Sequence, residues 1–479
     1  AGQERVGSEL AAALDSTVPM QRLLQGDVGS GKTLVALRAM LQVVGGGGQA
    51  ALLAPTEVLA AQHHASLGSL LGPLAGAGML GGAERATRVH LLTGSTPASG
   101  RRRILAELAA GEPVIVVGTH ALLSETVQMP LLGLVVVDEQ HRFGVAQRDA
   151  LRERALAVDP ATGRRLTPHL LVMTATPIPR TVAMTIFGDL EMTVLDELPA
   201  GRRPVTTHLV PWERETWVAG IWRRAAREVA AGGRVYVVCP RIDATGEPGA
   251  GSAADEDVVG PDDDLLDGLA GAPARPPAAV AEWAERLGAE PALEGVRVGT
   301  LTGRMSQADK DAAMEDFASG RAPVLVATTV VEVGVDVPEA SLMVILDADR
   351  FGLSQLHQLR GRVGRGGRES VCIAVTGAEV GSPAYHRLRA FARIGDGFAL
   401  AEADLALRSE GNVLGAAQSG RASDLDLLKV TRDGDVIAQA RVEAEAVIAV
   451  DPELRDHRAL AAAIADRLDE ESEAFLDRA

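Results

Sequence analysis

Residues Gly26-Asp27-Val28-Gly29-Ser30-Gly31-Lys32-Thr33 reproduce the phosphate-loop pattern G-x-x-x-x-G-K-[ST] in full. The context that the pattern needs is present. An apolar strand, Arg22 to Leu24, leads in, and a helical stretch with Leu34, Leu37, Leu41 and Val44 on one side leads out. A strand, a tight glycine loop and a helix in succession belong to a parallel sheet covered by helices. At Gly26, Gly29 and Gly31 the backbone can turn its N–H groups inward on phosphates, Lys32 can reach the outer phosphates, and Thr33 can hold Mg²⁺. A glycine-rich turn with an exposed lysine is the plain alternative, and the flanking strand and helix argue against it.

The rest of the chain continues the alternation. Short apolar strands recur at Ala50 to Ala54, Val89 to Leu92, Val114 to Val117, Leu134 to Val137 and His169 to Met173. A second series follows at Arg234 to Cys239, Val296 to Leu301, Val324 to Ala327, Leu342 to Leu346 and Ser370 to Val375. The expected fold is α/β, with two tandem domains on parallel sheets, residues 1–200 and 201–380, and a helical C-terminal region over 381–479. Pro199, Gly201 and Pro204 mark the link between the domains. Residues Asp243 to Ala278, rich in Gly, Ala, Pro and Asp, read as a disordered acidic insertion in the second domain. Helical periodicity resumes at Val436 to Val450 and Ala459 to Leu468.

Composition excludes several classes. The 479 residues carry 64 acidic and 47 basic side chains, a net charge of −17, with 47% hydrophobic residues, so the chain is not wholly disordered. Cys239 and Cys372 stand alone, which rules out a disulfide framework or cysteine-rich zinc site and fits a reducing compartment. No apolar run reaches the roughly 20 residues that span a bilayer. The acidic balance argues against phosphate backbones as partners, but basic residues cluster at Arg101 to Arg103, Arg202 and Arg203, and Arg360 to Arg368. A basic track on an acidic body is compatible with nucleic acid.

Two further groups bear on chemistry. The strand Leu134 to Val137 runs into Asp138 and Glu139, which suits Asp138 to Mg²⁺ and Glu139 to orienting and deprotonating an attacking water. A solvated turn is the alternative for an isolated acidic pair; the phosphate loop upstream favours the catalytic reading. Next to them, His141 could fill space or sense the phosphate state. Near the end of the second domain, Gln355 to Arg365 contains arginines spaced by glycines. Among them Arg362 and Arg365 suit arginine fingers acting across a cleft, with a solvated basic loop as the alternative.

This ordered set resembles the superfamily 2 helicases and translocases, which place two RecA-like domains around one ATP. The resemblance runs through the phosphate loop, Ala54-Pro55-Thr56-Glu57, Gly118-Thr119-His120, Asp138-Glu139, Thr174-Ala175-Thr176, Thr328-Thr329 with Gly334 and Asp336, and the arginine run. It implies that Gly334 and Asp336 join the nucleotide site and that Thr56, Thr119 and Thr329 lie along a DNA backbone. Asp138-Glu139-Gln140-His141-Arg142-Phe143-Gly144-Val145, Thr174 to Thr181 and Phe187-Gly188-Asp189-Leu190 are similar to the RecG branch-migration helicases and to transcription-repair coupling factors. So is Arg408-Ser409-Glu410-Gly411 with Gln418-Ser419-Gly420, although many RecG proteins carry Arg-Gly-x-Gly there. Gln140, Val235 to Pro240 and Gly303-Arg304-Met305 favour RecG.

Membership of that family implies an ATP-dependent, Mg²⁺-requiring motor on duplex and branched DNA that regresses forks and migrates Holliday junctions. Thr174, Thr176, Arg408 and Gln418 would serve DNA binding and coupling, and Gln3 would be a remnant of an adenine-recognising segment. The chain reads as the motor and C-terminal part, lacking the N-terminal wedge domain. It is expected to be a bacterial cytoplasmic monomer that touches no membrane, with single-stranded DNA-binding protein as a candidate partner. The alternatives are the motor of a coupling factor, or a DNA-binding ATPase fragment uncoupled from unwinding.

Overall fold

The computed structural model describes residues 2–27, 29–75, 86–124, 126–138, 167–174, 190–195, 204–242, 277–329, 337–407 and 434–465. It divides into two compact units, one formed by Ala1–Gly26, Ser30–Glu197 and Ser423–Ala479, the other by Asp27–Gly29 and Leu198–Ala422.

In the first unit, α1 (Gly2–Leu14), β1 (Gln21–Gly26), α2 (Lys32–Gly45), β2 (Gln49–Leu53) and α3 (Glu57–Leu71) come first. They are followed by β3 (Arg88–Leu92), α4 (Ala98–Ala109), β4 (Val114–Gly118), β5 (Leu132–Asp138), β6 (His169–Thr174) and β7 (Glu191–Leu195). The seven strands form one sheet in the order β3-β4-β2-β5-β6-β1-β7, with every pairing parallel. Strands buried on both faces read as continuous apolar runs, and β2 and β4 are buried at every position. The side-chain period of two sends alternate residues to opposite cores. Leu24, Leu52, Val117, Val136 and Leu171 join one, and Leu23, Leu53, Val116, Val137 and Val172 join the other.

The second unit holds β8 (Thr206–Pro211), α5 (Glu215–Ala230), β9 (Arg234–Val238), α6 (Val280–Gly288), β10 (Val298–Leu301) and α7 (Gln307–Ser319). Next come β11 (Val324–Ala327), β12 (Ala340–Ile345), α8 (Leu353–Arg360), β13 (Val371–Thr376), α9 (Pro383–Arg393) and α10 (Gly397–Leu407). Its parallel six-stranded sheet has the order β10-β11-β9-β12-β13-β8, and alternation again splits the strands between two cores. The helices α11 (Gly434–Val450) and α12 (Arg458–Ala465) close the described chain.

Two parallel-sheet α/β domains with C-terminal helices are thus present. Three details depart from the sequence reading. The buried side of α2 is Val35, Ala36, Leu37, Ala39 and Met40, whereas Leu34 is 37% exposed, because α1 packs on α2 and small alanines bring the helix close to its neighbours. The strands β7 and β8 had no counterpart among the expected strands. Finally, Ala278 belongs to the folded core rather than to the insertion. It is 1% exposed, and its N–H donates to Asp347 Oδ2 at 2.6 Å, while Trp212 Nε1 donates to Asp347 Oδ1 at 2.7 Å. Arg241 and Ala279 form an isolated parallel bridge, so the chain leaves and re-enters the second unit at adjacent points. Residues 243–276 lie outside the described residues, as do residues 466–479.

Candidate nucleotide and nucleic-acid site

The phosphate loop leaves the C-terminal end of β1, the place where parallel sheets present ligands to helix N-termini. Gly29 and Gly31 have φ of 81° and 94°, a left-handed backbone that favours glycine. Gly31 is the N-cap of α2, so the first unpaired N–H groups of that helix face the loop. A Cβ at Gly26 would meet Ser30 Oγ at 2.7 Å and the Leu195 carbonyl at 3.0 Å, so the turn requires glycine there as well. Lys32 Nζ donates to the Gly26 carbonyl at 2.7 Å, which folds the lysine over the loop. Ser30 is 1% exposed, and among the described residues its Oγ has no hydrogen-bond partner. A buried, unsatisfied hydroxyl beside a helix N-terminus fits a phosphate cradle.

Register fixes Asp138, the candidate metal carboxylate, relative to this loop. Leu24 of β1 pairs with Met173 of β6, and Met173 pairs with Asp138 of β5. Asp138 therefore lies two strands from β1, about 9.5 Å at the usual strand spacing, in the row just below the loop. Thr33, half-buried in the first turn of α2, supplies a hydroxyl. One carboxylate and one hydroxyl are the hard oxygen donors that Mg²⁺ accepts, so these two residues fit that ion. Among the described residues there is no group of three or more His, Cys, Asp or Glu that could hold a metal ion. The side chain of Asp138 is 14% exposed, and its Oδ2 lies 2.7 Å from Nε2 of His63 on α3.

Sequence reasoning missed His63, and no local signal marks it, since it stands beside His64 within an ordinary helical stretch. By contrast Gln3, singled out there, donates from Nε2 to the Ser30 carbonyl at 2.9 Å. It reaches the loop because Val6 and Leu10 bury one side of α1 against the sheet's flanking helix.

The threonines separate by burial. Thr56 caps α3, accepting from Leu59 N at 3.3 Å, and is half-buried. Thr119 follows β4 and is 1% exposed, with its Oγ1 accepting from Ala121 N. Thr174 ends β6 and is 2% exposed. Both Thr56 and Thr119 sit at the C-terminal edge of adjacent strands β2 and β4, on the opposite side of β5 from the phosphate loop.

In the second unit, Thr329 is half-buried just after β11. Arg362 and Arg365 follow α8 in a turn where Gly364 has φ of 79° and Arg365 Nε donates to the Gly361 carbonyl at 3.1 Å. Arg360 is no part of a basic surface. It is 5% exposed and donates to the carbonyls of Phe391, Ile394 and Gly395 at 2.8–3.0 Å, with its guanidinium 4.8 Å over the Phe391 ring. The remaining predicted positions, Glu139, His141, Thr176, Gly334, Asp336, Arg408 and Gln418, lie outside the described residues. Among the described residues no helix is long and apolar enough to cross a membrane.

Three family models match the chain in order: DEAD/DEAH box helicase at residues 9–185, helicase conserved C-terminal domain at 279–367, and ATP-dependent DNA helicase RecG, domain 3, C-terminal, at 394–474. Among curated proteins the chain is 52% identical over 442 residues to the ATP-dependent DNA helicase RecG of Mycobacterium tuberculosis, covering 92% of this chain and 56% of that protein. It is 42% identical over 455 residues to the Synechocystis counterpart, covering 95% of this chain and 48% of the relative. The chain thus spans about half the length of the curated relatives it matches. Among solved structures it is similar to RecG bound to a three-way DNA junction, with TM-score 0.65 and 37% identity over 91% of this chain and 50% of that one. A yeast Dbp5 structure bound to RNA and ADP BeF3, 17% identical with TM-score 0.51, shares the fold.

Proposed function

The chain belongs to the RecG-type ATP-dependent DNA helicases, and from that membership we propose that it is a motor coupling ATP hydrolysis to movement of duplex DNA at branched junctions, driving fork regression and Holliday junction migration. The match to the RecG-specific domain 3 over residues 394–474 carries this reading, because the nucleotide motifs alone are common to many helicases. The junction-bound relative supports a branched substrate.

In this reading the N–H groups around Gly26, Gly29 and Gly31 hold the phosphates of ATP, and Lys32 neutralises the outer ones. Thr33 and Asp138 would hold Mg²⁺, which when bound would supply charge neutralisation to the transferring phosphoryl group. Glu139 takes the proton of the attacking water, and Arg362 and Arg365 stabilise the charge that develops, while Gly334 and Asp336 complete the nucleotide contacts. Thr56, Thr119 and Thr329 grip successive DNA phosphates, the buried Thr119 through neighbouring backbone N–H groups. Thr174, Thr176, Arg408 and Gln418 pass the nucleotide state to the duplex. The protein acts as a monomer in the bacterial cytoplasm, with single-stranded DNA-binding protein as a further partner.

The deciding experiment is ATP hydrolysis with no DNA, single-stranded DNA, linear duplex and a model fork at one salt concentration. Stimulation by duplex or fork DNA is expected, whereas hydrolysis indifferent to DNA would sink the proposal. In the same assay Gln418→Ala should spare hydrolysis more than branch migration, and equal loss of both would count against a separate coupling motif.

A further inference from the structure

Helix α3 does more than cover the sheet. Its N-terminus is pinned by Thr56 as cap and by Glu57, whose Oε2 accepts from Ser95 Oγ at 2.7 Å. At its middle, His64 Nε2 lies 3.2 Å from the Val89 carbonyl on β3, which fixes the rotation of the helix. Held in this way, α3 aims His63 at β5, where Nε2 is 2.7 Å from Asp138 Oδ2. The two side chains are 12% and 14% exposed and 75 positions apart in sequence. An ionised carboxylate only accepts, so the imidazole is the donor.

A carboxylate turns about a broad, two-fold torsional well, and a donor locked onto one oxygen sets the direction of the other. Carboxylates that ligate metals depend on such outer partners, and losing one typically costs about 10- to 100-fold in metal affinity. Imidazole itself is a poor ligand for Mg²⁺, which takes oxygen, so direct coordination does not account for the contact.

We propose that His63 is a positioning residue that orients Asp138 for Mg²⁺. The inference rests on the ATPase reading above and deepens it. A test that does not depend on turnover is equilibrium binding of the fluorescent analogue mant-ATP to the 479-residue chain across a Mg²⁺ titration, with Mn²⁺ electron paramagnetic resonance in parallel. His63→Ala is expected to raise the Mg²⁺ needed for half-maximal binding about tenfold and to alter the Mn²⁺ spectrum. His63→Gln, which keeps an N–H at similar reach, should recover most of that loss, and it decides the matter if the alanine variant does not fold. Wild-type Mg²⁺ dependence in His63→Ala, or loss in the alanine and glutamine variants alike, overturns the inference. Asp138→Asn separates the layers. If it impairs Mg²⁺-dependent binding while His63→Ala does not, this inference alone fails; if wild-type binding ignores Mg²⁺, the ATP-site reading falls and this inference with it.

Discussion

The Gln3 carboxamide donates from Nε2 to the Ser30 carbonyl at 2.9 Å and occupies the space where a Cβ at Gly31 would sit. One end of α1 is thereby latched to the phosphate loop, while at the other Gln42 of α2 donates to the Ala11 carbonyl at 3.1 Å and to Asp15 at 2.9 Å. Losing one such hydrogen bond costs about 1 kcal/mol, so Gln3→Ala should weaken ATP binding roughly fivefold. Gly31→Ala should be far worse, because it adds the strain of φ 94° to a collision with Gln3. Isothermal titration with a nonhydrolysable nucleotide checks both, and a Gly31→Ala protein that binds normally would refute the geometry.

Glu139→Gln should keep ATP binding while lowering turnover by at least about 100-fold, since it removes the base and keeps the shape. Steady-state hydrolysis beside nucleotide binding measures the split. Turnover near the wild-type rate would remove Glu139 from its assigned role.

Arg360→Ala should destabilise the second unit by on the order of 3 kcal/mol, because the carbonyls of Phe391, Ile394 and Gly395 lose a shared buried donor. Arg360→Lys should not rescue it, as an ammonium cannot reproduce the planar fork. Urea unfolding followed by tryptophan fluorescence reports on this unit, which contains Trp212, Trp217, Trp222 and Trp283.

His169 is held below its ordinary value near 6.5 by burial, and its Nδ1 accepts the N–H of Met20 at 2.9 Å. The unfolded chain therefore binds a proton that the folded one refuses. Stability is fully present above about pH 6.5 and is lost as pH falls below it, with a slope of at most about 1.4 kcal/mol per pH unit. Melting curves at pH 7.5 and 5.5 should show a smaller drop for His169→Asn than for the wild type.

How much of this was legible in the sequence follows from burial. Strands such as Ala50 to Leu53 and Val324 to Ala327 announce themselves because both faces are covered and every residue is apolar. The unanticipated β7 and β8 are edge strands, partly exposed, and their Glu191, Thr206, Thr207, His208 and Pro211 dilute the apolar signal. Within the site, Gly26, Gly31, Lys32 and Asp138 were legible because adjacent residues write the motif. His63 was not, since only the packing of α3 against β3 and β4 brings it within reach of Asp138 at the end of β5. Nor could the arginine run reveal which of its members turns inward; three carbonyls supplied by α9 and the turn after it select Arg360.

The bridge between Arg241 and Ala279, with Asp347 clasping Ala278, places the two ends of a long excursion side by side. Closing a loop costs little more as it lengthens, once its ends are held together by the rest of the fold. The second unit therefore offers a ready docking port for engineering. A fluorescent protein or purification tag spliced between positions 242 and 277 would join the second unit at those two adjacent ends without asking any described strand to move, giving a handle by which the chain could be watched or tethered.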